Sequence, residues 1–221
     1  MANVNKPNGF SPVGNLLGGK RNEQGRVYAI PTSDTTNSYA IGDCVMSASG
    51  SDSTGIRYIQ KWGGATTTSA LPLGIIVGIR VADPSVSLVG TTLDLTQTYI
   101  TAGTRTAVRY VYVVDDPFVL FEAQFNATGA TAAQLSMNSA VTISAANQTS
   151  LSTSSPFSDM VLSSPAVTAT LPIRLLGAVQ RIDNEVTTAA SPYVRVLCKF
   201  NYHEYGTIAS ASGSVVNYLA V

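Results

Sequence analysis

The chain reads as an all-β protein: an antiparallel β-sandwich or jelly-roll-like domain with an extended N-terminal arm. Three observations predict this. Residues 107–114 are nearly all β-branched or aromatic, which suits a pleated, half-buried surface better than a helix. In residues 193–202, Val194, Val196, Cys198 and Phe200 alternate with Tyr193, Arg195, Leu197 and Lys199, a period of two. Short apolar runs recur along the whole chain between stretches rich in Gly, Ser, Asn, Asp and Pro, the punctuation expected of strands and turns.

Residues 1–24 are rich in Asn, Gly and Pro, with Phe10, Val13, Leu16 and Leu17 as scattered apolar anchors. Such a segment has no core of its own, so an arm is expected that docks on another chain or folds back on its own domain. The β-domain is expected over residues 25–205. Its first strands fall at 25–31, 40–46 and 56–62, with a Gly/Ser/Asp-rich turn over 47–55. Residues 71–81 form a continuous apolar run that fits a strand buried on both faces. Residues 99–100, after the 88–95 segment, lead into what reads as a central hairpin, with strands at 107–114 and 118–125. The turn between them is Asp115-Asp116-Pro117, because proline carries no ladder donor and an Asp before it favours a turn. In the second strand Phe121, Ala123 and Phe125 share a face, opposite Glu122 and Gln124. Residues 126–164 are dominated by Ala, Ser, Thr and Asn and read as a long surface excursion, with one helical turn at Thr131-Ala-Ala-Gln-Leu and a strand-like Val141-Thr-Ile143. Two strands, at 171–182 and 193–202, close the domain. Residues 206–221 form a small, apolar tail.

Composition narrows the function. The chain has 221 residues, enough for one large core. Only 12% of residues are charged, against about 25% in an ordinary soluble domain, while 45% are hydrophobic. This fits a surface partly hidden by neighbouring subunits. Thirteen basic and thirteen acidic side chains cancel, so no electrostatic footprint for nucleic acid or for an anionic membrane is expected. Cys44 and Cys198 both lie in apolar, strand-like settings and read as buried thiols, although a disulfide between them stays open. The N-terminus lacks an apolar signal-peptide core, so synthesis in the cytoplasm is expected.

The motifs carry little chemistry. Gly14-Asn-Leu-Leu-Gly-Gly19-Lys20-Arg21 nearly spells a phosphate-binding loop, but Arg21 replaces the hydroxyl that would hold Mg²⁺, and coil precedes it where a strand is needed. His203, the single histidine, stands beside Glu204 with no second histidine to complete a zinc site. Asp115 and Asp116 read as a turn device, since no calcium-loop spacing accompanies them. Trp62, Tyr58, Tyr110 and Tyr112 read as cross-strand packing before they read as a glycan platform. No catalytic, cofactor or metal residue is assigned, and no cofactor is expected.

Several segments together resemble a family of tailed-bacteriophage virion proteins: residues 1–14, Gly42-Asp43 ahead of an apolar strand, Val113-Val-Asp-Asp-Pro-Phe-Val-Leu-Phe-Glu-Ala-Gln124, and the closing strand with its His203-Glu204-Tyr205. These look like capsid decoration, or cement, proteins. The resemblance implies a non-enzymatic structural protein of the virion surface whose partners are the major capsid protein and further copies of itself, as a dimer or trimer. It implies no nucleic-acid or membrane partner. Pro7, Phe10, Pro12, Val13 and Leu16 are then the expected contacts to capsid or neighbouring subunit. A tail or head-to-tail connector component, or a carbohydrate-binding module on the virion, would share the composition.

Overall fold

The computed structural model describes residues 3–18, 25–64, 70–80, 97–142, 156–167, 171–209 and 215–217. Within them the chain is nearly all β, as the residue pattern predicts. The strands in chain order are β1 (Ser11–Asn15), β2 (Arg26–Ile30), β3 (Tyr39–Ala40), β4 (Cys44–Ser51), β5 (Arg57–Lys61), β6 (Gly74–Arg80), β7 (Tyr99–Ile100), β8 (Arg109–Val114), β9 (Val119–Gln124), β10 (Asn138–Thr142), β11 (Val161–Ala166), β12 (Ile173–Ala178), β13 (Arg195–Phe200), β14 (Thr207–Ala209) and β15 (Val215–Asn217). A single 3₁₀ turn, Ala132–Ser136, precedes β10 at the expected helical turn; the Thr131 N–H donates to the Gln134 side chain at its start.

Two layers carry the fold. One is a closed barrel in the order β2-β5-β4-β6-β8, antiparallel except where β2 meets β5. The other is a six-stranded antiparallel sheet in the order β1-β9-β13-β12-β10-β11. This sheet curls until β11 touches the far end of β9, at a bridge between Phe125 and Leu162. Closure and curling leave few open edges, the standing hazard of β proteins.

The strand period explains how the layers share residues. Successive side chains point to opposite faces, so Val45, Ile76 and Val113 fill the barrel interior with Tyr28, Ile30, Ile59, Leu73 and Val111. Their neighbours Cys44, Ile75 and Val114 point outward and pack against the sheet, meeting Phe121, Leu175, Val196, Cys198 and Phe200. Residues 71–81 were expected to hold a strand buried on both faces, and β6 belongs to both cores for this reason. A register shift between Ile76 and Gly78 lets Ile79 join Ile76 inside the barrel. The alternations expected in β9 and β13 also hold, since Val119, Phe121, Ala123 and Phe125 share one core with Val194, Val196, Cys198 and Phe200. Both cysteines are buried and free.

Two expectations are corrected, and one alternative is decided. β8 and β9 follow each other in the chain but do not pair. β8 already has β2 and β6 on its two edges, so no edge remains for β9, and residues 115–118 carry the chain from barrel to sheet. The supposed surface excursion at 126–164 supplies β10 and β11 to the sheet, and its Ala130, Leu135, Met160 and Leu162 are core residues; its residues 143–155, including Ile143, lie outside the described residues. The N-terminal arm folds back on its own domain, where β1 pairs with β9.

Candidate functional site

The amino-terminal edge is where the expected contact residues lie. Asn8, Gly9 and Phe10 cross the turn before β4 at close range, with the Phe10 N–H donating to the Gly42 carbonyl at 2.9 Å. Both glycines at the crossing have positive φ, 67° at Gly9 and 94° at Gly42. A β-carbon on Gly9 would lie 2.3 Å from the Gly42 carbonyl oxygen, and one on Gly42 would lie 2.3 Å from that of Asn8. Only glycine permits this approach. Beneath it the turn is held by Asp43, which accepts the Ala40 N–H at 2.8 Å and forms a buried ion pair with Lys61 at 3.1 Å.

Phe10 is thereby set into the core between layers, 1% exposed, with its ring edge-on to Phe121 at 6.3 Å and tilted against Phe200 at 6.2 Å. It is a packing residue of its own domain, and not the docking contact expected from the sequence. Pro7 and Pro12 are half-buried. Residues 3–8 make polar contacts over the outer face of β9 and β13. The Lys6 N–H donates to Gln124 at 3.2 Å, Arg195 donates to the Lys6 carbonyl at 2.8 Å, and Asn3 donates to the carbonyls of Glu185 and Pro192 at 3.0 Å each. This cover explains why Glu122 and Gln124, on the face expected to be polar, are nonetheless buried. Glu122 meets Arg181 at 2.7 Å and Arg195 at 3.3 Å.

Val13 and Leu16 remain outside, 45% and 48% exposed. Two residues not expected at this site join them. Leu17 is exposed in the turn after β1, and Phe118 is exposed where the Leu16 N–H donates to its carbonyl at 2.9 Å. Asp116 fixes this corner, accepting from the Phe118 N–H at 2.8 Å and from the Asn15 side chain at 2.9 Å. An apolar corner thus stands at the end of β1, beside an edge strand kept short and interrupted by Pro12 and by a register shift at Val13. Phe118 is not legible as part of this site in the sequence, where it reads as a strand residue of the hairpin.

The other sequence candidates resolve into structural roles. Gly14 of the phosphate-loop look-alike lies in β1, and its Gly19, Lys20 and Arg21 lie outside the described residues. Trp62 is fully buried, donating to the Ala70 carbonyl at 2.7 Å and packing edge-on to Phe200, so it takes no part in a surface platform with Tyr58 and Tyr112. Asp115 is buried and accepts from the Tyr28 hydroxyl at 2.7 Å. No group of three or more His, Cys, Asp or Glu positioned for a metal ion exists among the described residues. No helix there is long and apolar enough to cross a membrane.

A polar network at one end of the barrel was not foreseen. After β13, Glu204 meets Arg57 at 2.8 Å and accepts from Ser47 at 2.6 Å, while Tyr205 accepts from Arg57 at 3.0 Å and shares a 3.3 Å hydrogen bond with Tyr28. Burial and the neighbouring Tyr205 and Asp115 push the Tyr28 hydroxyl far above the usual tyrosine range. The His203-Glu204-Tyr205 segment therefore joins sheet to barrel. The only signal in sequence was the cluster of polar and aromatic residues after a strand end.

No family model, curated protein or solved structure matches this chain.

Proposed function

We propose that the protein is a bacteriophage virion structural protein, a capsid decoration protein that binds the major capsid protein lattice and stabilises the head. The observation that carries this reading is the apolar corner of Val13, Leu16, Leu17 and Phe118 on a chain with so few charges. Exposed apolar groups that cluster beside a rigid edge are suited to burial against a partner. The corner is built on two adjacent strands and a pinned turn, so it needs little ordering on contact, which lowers the entropic cost of association. Repetition over a shell multiplies modest contacts into lasting occupancy. The role is structural, without a catalytic step, and further copies of the chain are its other partners.

The test is binding to purified capsids by co-sedimentation, comparing the natural chain with a Val13→Ser, Leu16→Ser, Leu17→Ser variant. These side chains are exposed, so the variant should fold normally. Occupancy on capsids is expected to fall at least tenfold. Full occupancy of the variant would remove the corner from the interface, and failure of the natural chain to bind capsids would overturn the decoration role. Density confined to a single ring at one vertex in a particle reconstruction would assign the chain to the connector.

A further inference from the structure

We propose that the turn from His203 to Gly206 is an acid-opened clasp between the two layers of the fold. The clasp grips the barrel at several points: the Glu204 N–H donates to the Pro72 carbonyl at 3.0 Å, the Glu204 carboxylate holds β5 and β4 through Arg57 and Ser47, and the Tyr205 hydroxyl reaches β5 and β2 through Arg57 and Tyr28. Arg26 of β2 lies over the Tyr205 ring at 5.9 Å. All of these contacts depend on the backbone course of a turn that His203 closes.

His203 closes it as a neutral ring. Its Nδ1 accepts the Tyr205 N–H at 3.1 Å, and its carbonyl accepts the Gly206 N–H at 3.0 Å. An accepting Nδ1 places the ring proton on Nε2, which finds no partner in hydrogen-bonding geometry among the described residues. The ring is 2% exposed, between Phe200 at 5.9 Å and Tyr205 at 6.1 Å. A second proton would turn Nδ1 into a donor facing the Tyr205 N–H, and would place a cation among aromatic rings.

Little around the ring offsets that charge. Asp116, from the connection before β9, favours it but is already engaged with Asn15 and Phe118. The Leu73 carbonyl, from the segment before β6, favours it more than Asp116 does, although it stands outside hydrogen-bonding geometry. Glu204 is taken up by Arg57 and Ser47, and Asp115 by Tyr28 and Arg26. Burial dominates and lowers the pKa of His203 to about 4. In an opened turn the imidazole would titrate near its ordinary value of about 6.5. Below that value the opened form binds the proton more readily than the closed form. The opening constant therefore rises about tenfold per pH unit, roughly 300-fold in all, as pH falls from about 6.5 to about 4.

Amide hydrogen exchange on the full chain tests this, read at Glu204, Tyr205 and Gly206 and corrected for intrinsic exchange. Protection at these three amides is expected to fall about tenfold per pH unit over that window, while amides of β9 and β13 hold. As the single histidine, His203 also reports directly through its ring proton resonances, which should titrate near pH 4. The His203→Asn variant offers an uncharged acceptor and should abolish the pH slope; if it folds poorly, the ring titration decides alone. Flat protection at the three amides, an ordinary ring pKa, or the same slope in a folded His203→Asn chain would each overturn the clasp.

Discussion

At the scale of single residues, the crossing of Gly9 over Gly42 is one of the close backbone approaches of the described chain, and it separates two costs that glycine substitutions usually mix. Gly9 and Gly18 both have left-handed φ, but a β-carbon at Gly9 would meet the Gly42 carbonyl and the Ser158 side chain, whereas one at Gly18 would meet nothing within 4 Å. Gly18→Ala is expected to cost only the backbone term, about 1 kcal/mol. Gly9→Ala adds a clash between backbones that cannot rotate away, and should cost about 3 kcal/mol or more. Urea unfolding of the two variants measures the difference, and equal costs would show that the crossing yields. Neither glycine could be ranked from sequence, where both stand in the same Asn- and Gly-rich stretch.

At the scale of elements, β1 decides how the amino-terminal segment should be treated. A segment without a core of its own looks dispensable by composition, as though deleting residues 2–20 would leave the β structure intact. The pairing of β1 with β9 and the burial of Phe10 reverse that expectation. The deletion uncovers one edge of β9, strips the polar cover from Glu122 and Gln124, and removes an aromatic ring from the core. The ring alone accounts for about 3 to 5 kcal/mol. The truncated chain is expected to show a lower urea midpoint and concentration-dependent association through the bared β9 edge, seen by sedimentation. A monomer of unchanged stability would contradict this. Composition left the course of the arm open because it does not report pairing: β1 carries Pro12 and Gly14, both poor strand formers, and is a strand only because β9 offers it an edge.

At the scale of the whole molecule, barrel and sheet share strands, and this predicts how the protein unfolds. β4, β6 and β8 each send one face into the barrel and a residue of the other into the layer between, so neither core can be lost while the other stays whole. A single cooperative thermal transition is expected. Ile76→Ala, inside the barrel, and Leu175→Ala, between the layers, should each lower that one transition, with a cost of about 2 to 5 kcal/mol. Two separate calorimetric transitions, only one of them moved by each substitution, would show that the layers are independent.

The sequence by itself determined the class of this fold, because side-chain alternation is a local property. The faces of β9 and β13, the two-sided burial of β6 and the helical turn before β10 are all legible in spacing. The tertiary structure decided which strands meet. It set β8 and β9 in different layers, drew the polar excursion into the sheet, moved Phe10 from the expected contact surface to the core and left Val13 and Leu16 outside with Phe118. Hydrogen-bond ladders form between segments distant in the chain, and every strand offers the same unlabelled edge, so pairing is fixed only when the whole set competes for partners.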